Sequence, residues 1–152
     1  MAEQYKPFLI QKLKSGSPVK DSMDWNIWIK SVPFKLFPEM KDIPSRSWHD
    51  QNGDEEFVPE NPVFKAYEMN CEFVFIGTHG LANSKITEFL SYLANGGMFK
   101  FYDSHTKIGR TKVRYVSYSE DILYRNQGSE DIVIFSVTLK VNDPITNIVL
   151  SK

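Results

Sequence analysis

Residues 63–77, VFKAYEMNCEFVFIG, decide how the chain is read. Tyr67, Met69, Cys71, Phe73 and Phe75 fall at alternate positions, with Glu68, Asn70 and Glu72 between them. Successive side chains of an extended segment point to opposite faces, so the pattern predicts a strand with one buried and one wetter face. The run is much longer than the roughly five or six residues of an ordinary strand. Long strands of this kind suit barrels and extended sandwich sheets.

Working outward, the same alternation recurs at 132–141, where Val133, Phe135, Val137, Leu139 and Val141 share a side before Asn142-Asp143-Pro144 stops the strand. Shorter strands are predicted at 98–102, 110–118 and 122–125, with turns beginning at Asp103 and at Asn126. Upstream, Trp25, Ile27 and Ile29 mark one face of a strand over 25–30, and residues 5–14 form a short strand or an arm. Pro7 lacks the N–H that a central strand would need. A single helix is predicted at about 84–95. Ile86, Phe89, Leu90 and Leu93 make its apolar stripe, Asn83 or Ser84 its cap, and Gly96-Gly97 its end. The fold class is mainly β: an antiparallel sandwich or barrel with one flanking helix.

Residues 33–62 interrupt this order with five of the eight prolines. Loops beyond roughly 12–15 residues are uncommon in compact domains and are usually functional or disordered. This one keeps Phe34, Leu36, Phe37, Ile43, Trp48 and Phe57, and disordered segments are poor in such residues. It is read as an ordered excursion whose apolar side chains pack on something, such as a neighbouring subunit.

Composition bounds the rest. The chain has 152 residues, 41% hydrophobic and 24% charged, so one soluble domain is expected over 1–152, with an N-terminal arm at 1–20 and a short tail at 145–152. Net charge is −1, which gives no global attraction to nucleic acid or an anionic membrane. The single cysteine, Cys71, rules out an internal disulfide and a cysteine-cluster zinc site. No apolar run approaches the roughly 18 residues of a membrane span. The apolar part of the N-terminus, Phe8-Leu9-Ile10, is too short for a secretory signal, so folding in the cytoplasm is expected.

Motifs of chemistry are sparse. In the excursion, Asp50, Asn52 and Asp54 place oxygen ligands at every second position, as a calcium loop begins. Aligned as an EF-hand, the sequence puts Glu55 where glycine is needed and Asn61 where a bidentate glutamate is needed, and prolines oppose the flanking helices. The favoured reading is a turn at Asn52-Gly53, both of which tolerate positive φ. A calcium-dependent binding module using Asp50, Asn52 and Asp54 is the alternative. His49, His79 and His105 lack a nucleophile elbow or HExxH context. Asp103-Ser104-His105 are chain neighbours, which seldom gives triad geometry. No catalytic residue and no cofactor is therefore assigned. Arg110, Lys112 and Arg114 alternate near Tyr102, Tyr115 and Tyr118, a pattern found where sheets hold single-stranded nucleic acid. Acidic residues nearby favour a solvated outer face instead.

The order of features also carries a resemblance. A tryptophan-rich strand leads into DIPSRSWHD (42–50) and Gly53-Asp54, then a long strand ending EFVFIG, then ITEFLSYLANGGMFKFYD (86–103), then a last strand FSVTLKVNDP (135–144). This resembles the tail proteins of long-tailed bacteriophages, most closely the N-terminal domain of distal tail proteins and the related tail-tube fold, over roughly residues 20–145. The resemblance implies a virion structural protein, made in the host cytoplasm and built into the tail. It implies a homo-oligomeric ring, commonly hexameric, around the channel through which DNA passes as non-specific cargo. Partners would be other tail or baseplate proteins, with no membrane involved. Distal tail proteins often add a C-terminal domain, for which 152 residues leave no room, so a minimal distal tail or baseplate protein or a tail-tube subunit is expected. Phe34, Phe37, Arg46, Trp48 and Phe57 would then form subunit contacts, with Arg46 pairing to a carboxylate.

Overall fold

The structure, a computed structural model, describes residues 7–125 and 130–151, with residues 120–125 described by their backbone alone. In chain order the elements are β1 (Phe8–Lys12), β2 (Lys20–Asp21), a 3-10 turn (Ser22–Asp24), β3 (Ile27–Ser31), β4 (Ser45–Ser47), β5 (Asp54–Glu56), β6 (Tyr67–Thr78), α1 (Ala82–Ala94), β7 (Phe99–Asp103), β8 (Ile108–Arg125) and β9 (Glu130–Val141). Seven strands form one antiparallel sheet in the order β2-β1-β7-β8-β9-β6-β3, and β4 with β5 makes a separate two-stranded sheet. The mainly β, antiparallel, one-helix architecture expected from the sequence is the one observed, as an open, sandwich-like sheet.

The centre of the sheet is the pairing of the two strongly alternating segments. Tyr67 lies opposite Val141, Phe73 opposite Phe135, and Phe75 opposite Val133, so both alternations put their apolar side chains on the same face. Tyr67, Met69, Cys71, Phe73, Phe75, Phe135, Val137, Leu139 and Val141 are all buried. β1 and β6 are separated by three strands, yet the rings of Phe8 and Phe73 lie 5.4 Å apart. The sheet is therefore curled until its two halves face each other. Phe89 of α1 fills the interior, with ring centroids 5.7 Å from Phe8, 5.5 Å from Phe73, 6.3 Å from Phe135 and 5.2 Å from Trp25. Such tilted and edge-on aromatic pairs add about 0.5–1.5 kcal/mol each beyond area burial.

The helix begins earlier than expected, and neither Asn83 nor Ser84 caps it. Leu81 occupies the cap position without a side-chain bond, while the Ser84 hydroxyl donates to the Leu81 carbonyl. Its other end follows the sequence expectation, with Gly96 and Gly97 at φ 81° and 83°. The last turn carries no basic residue of its own. Lys12 supplies one from β1: its Nζ donates to the Leu93 and Gly97 carbonyls at 3.4 and 3.5 Å and lies over the Tyr92 ring. A cation at a helix C-terminus is favourable because carbonyl dipoles converge there. Partial burial pushes the Lys12 ammonium below its ordinary pKa.

Other boundaries shift for local reasons. The segment at 5–14 is a strand from Phe8 onward, not a free arm, and it is not at an edge. Pro7 stands just outside it, where only its carbonyl is used, accepting from Ser104 N–H. Trp25 is buried at the end of the 3-10 turn, before β3 starts. The two strands expected at 110–118 and 122–125 are one, β8, carried through bulges between Tyr115 and Ser117 and between Glu120 and Ile122. The turn expected at 126–129 lies outside the described residues. The C-terminal segment folds back on the β7–β8 end. Ile148 N–H donates to the Gly109 carbonyl, and Leu150 is buried with Leu9 and Tyr102.

Candidate functional site: an exposed β-arm

The excursion at 33–62 is a projecting antiparallel arm. Its two legs are joined near the root by Lys65 N–H to the Glu39 carbonyl at 2.7 Å and Lys41 N–H to the Val63 carbonyl at 2.8 Å. A Lys65–Asp42 ion pair at 3.3 Å lies beside them. Further out, Phe57 N–H reaches the Pro44 carbonyl, and β4 pairs with β5 through Ser45–Glu56, Arg46–Glu55 and Ser47–Asp54. The prolines exclude longer strands but leave these backbone groups free to pair. Asn52-Gly53 does turn the chain, at the end of a six-residue loop, with Gly53 at φ 76°.

The arm is tied to the body at Lys35. Its N–H donates to the Tyr67 hydroxyl at 3.2 Å, and its carbonyl accepts from Arg110 Nη2 at 3.3 Å. Arg110 is buried and meets no carboxylate among the described residues. Its Nη1 bonds the Gly109 carbonyl and Asn147 Oδ1, its guanidinium stacks 6.0 Å from the Phe34 ring, and Nε has no partner among the described residues. One side chain thus links β8, the C-terminal segment and the arm's root. Sequence reading placed Arg110 in a basic strip with Lys112 and Arg114. A bulge in β8, with Lys112 at φ 56°, breaks that alternation and turns Arg110 inward. The strip is therefore reduced to Lys112 and Arg114, both exposed.

The five proposed contact residues divide accordingly. Phe37 and Phe57 are 78% and 72% exposed, and Trp48 is 45% exposed. Leu36, Val58 and Val63 are exposed with them. Phe34 instead packs on the core, 5.9 Å from Phe101, and is part of the root. Arg46 pairs with no carboxylate among the described residues. It lies 5.9 Å from the Trp48 ring, while the Trp48 indole N–H donates to Glu55 Oε2 at 3.0 Å. Beneath this tip, Met40, Ile43, Pro44, Phe57, Pro59 and Val63 line an open apolar groove of about 350 Å³.

Asp50 and Asn52 sit in the tip loop and Asp54 in β5, all exposed. Among the described residues no three His, Cys, Asp or Glu side chains converge on a metal-sized site. The histidines serve turns. Asp103 accepts from His105 N–H and Thr106 Oγ1, and His79 Nδ1 contacts Asp131 Oδ1 at 3.1 Å. Cys71 is fully buried, and burial pushes its thiol up to about 12, the opposite of an activated nucleophile. Among the described residues no helix is long and apolar enough to cross a membrane.

Sequence reasoning missed Arg110 as the arm's anchor and β4–β5 as strands. The first depends on a bulge with no periodic signature. The second was legible only as two polar triplets flanking Asn-Gly.

No family model and no curated protein matches the chain. Among solved structures it is similar to the crystal structure of SPP1 Dit (gp 19.1), described as a paradigm of the hub adsorption apparatus in phages infecting Gram-positive bacteria. The TM-score is 0.61 at 14% identity, over 90% of this chain and 50% of that one. The chain therefore spans half the length of that protein, and what the two share is the fold.

Proposed function

We propose that this protein is a non-enzymatic structural subunit of a bacteriophage or prophage tail or baseplate, and that its copies assemble into a ring around the DNA channel. The observation that carries this reading is the arm: an ordered, hydrogen-bonded projection, anchored at Lys35, whose Phe37, Trp48 and Phe57 face solvent. Apolar side chains clustered on an ordered surface mark association sites. The fold likeness to a hub protein supports the same reading. In it, Phe37, Trp48 and Phe57 are subunit contacts, six copies close the ring, and the position is distal tail or baseplate rather than tail tube. Light scattering over a concentration series, with electron microscopy alone and with tail partners, tests it. Rings are expected. A protein that stays monomeric at high concentration and forms no ring with its tail partners overturns it.

A further inference from the structure

The arm is acidic as well as apolar. Between positions 45 and 60 it carries Asp50, Asp54, Glu55, Glu56 and Glu60 against Arg46 as its one lysine or arginine. One part of the sheet's outer face, on β7, β8 and β9, carries the opposite charge. Lys100 points outward between buried Phe99 and Phe101, and Lys140 between buried Leu139 and Val141. Lys112 and Arg114 are exposed on β8. Arg114 and Lys140 stand directly opposite each other across the β8–β9 ladder. Like charges in that position destabilise a sheet unless something anionic lies over them.

Two apolar side chains sit at the same end. Leu13 N–H donates to the Met98 carbonyl, and Leu13 and Met98 are 40% and 41% exposed. Asn142 Nδ2 contacts both Met98 Sδ at 3.8 Å and the Lys112 carbonyl at 3.1 Å, which holds the apolar pair beside the cations. Glu68, opposite Lys140, and Asp143, close to Lys112, offset part of the charge, leaving four cations against two carboxylates.

We propose that this apolar and basic patch receives the arm of a second copy. Phe57 and Val58 meet Leu13 and Met98, and Glu56 and Glu60 lie over Arg114 and Lys140. The two surfaces differ, so the contact is head-to-tail, the type that closes rings. Charge complementarity fixes register and partner orientation more than it adds affinity. The inference rests on the ring reading and deepens it by naming the receiving face.

A charge swap tests it. Glu56→Lys with Glu60→Lys, or Arg114→Glu with Lys140→Glu, is expected to weaken association by at least about tenfold in light scattering. The chain carrying all four changes is expected to regain it, as is an equimolar mixture of the two reversed chains. All sites are at the surface, so unchanged melting temperatures establish that folding is intact. Rings that form equally well with either reversal overturn this contact while leaving ring assembly standing. A strictly monomeric parent protein overturns both. Labelled DNA that binds the parent chain and is lost with Arg114→Glu and Lys140→Glu, while assembly is unchanged, assigns the patch to nucleic acid and overturns the contact.

Discussion

Phe89 and Phe57 are the same side chain in opposite surroundings. Phe89 is fully buried and touches rings from β1, β6, β9 and the turn before β3. Phe57 is 72% exposed at the mouth of a groove made only by its own arm. Burying such a ring is worth about 1.5–3 kcal/mol, and the fold collects that from Phe89 but not from Phe57. The body is thus stabilised by its own aromatics. The arm is held by backbone hydrogen bonds and by the contacts at Lys35, and its aromatics remain available for association.

The largest effect should come from breaking the body. Phe89→Ala is expected to cost about 3–5 kcal/mol, because the lost ring leaves a cavity bounded by four elements. Denaturant unfolding monitored by circular dichroism measures it. Cys71 reports on the same region. The buried thiol is pushed up to about 12, from an ordinary value of 9.0, so the native state favours its neutral form. Its contribution to stability is complete below about pH 9 and is lost as pH rises through the folded value. At neutral pH the native protein should resist thiol alkylation. Phe89→Ala should react faster in proportion to its unfolded fraction. Rapid labelling of the unmodified protein would show that the curled sheet opens more readily than its packing implies.

Next in size are changes where body and arm meet. A Cβ added at Gly109 would run into the Ile148 carbonyl oxygen and crowd the Tyr102 ring. Gly109→Ala is expected to lower stability by about 1–3 kcal/mol and to release the C-terminal segment, seen as faster amide exchange at Ile148. Arg110→Met keeps the length of the stem but removes the bonds to Lys35, Gly109 and Asn147. Buried groups that lose a partner cost about 1–3 kcal/mol, partly offset here because Nε no longer goes unpaired. Amide exchange in β6 should change little, and exchange at Lys41 and Lys65 should speed up. Equal acceleration in both places would mean that the arm is not a separately anchored unit.

This division also explains what could be read from the sequence. Where the chain is stabilised by its own burial, composition records the fact. The alternations in β6 and β9, and the stripe of α1 through Ile86, Phe89 and Leu93, each predict a buried face that is observed. Where structure depends on one distant contact, no period records it. Arg110 reads as a surface cation until the bulge at Lys112 turns it inward, and Phe34 reads like Phe37 until Phe101 covers it. The arm was recognisable as ordered because its aromatics are too many for a disordered loop. Its pairing was not, because Ser45–Ser47 and Asp54–Glu56 carry no apolar side chains to mark a face.

The smallest effect on folding should accompany the largest effect on assembly. Phe57→Ser removes an exposed ring that contributes little to the isolated chain, so unfolding free energy should stay within about 0.5 kcal/mol of the parent. If the arm is the contact element, the same change removes an apolar anchor from the centre of an interface, where single aromatic residues carry about 2 kcal/mol or more. Association should then weaken by more than about tenfold. Phe34→Ser is the matched control within the same excursion, because its ring packs on Phe101 and under Arg110. It should lower the melting temperature measurably, and it should affect assembly only through folding. If both variants behaved alike, in either assay, the arm would have to be regarded as an extension of the core. The separation between a self-stabilised sheet and an arm held ready for a partner would then fail at the residue that defines it.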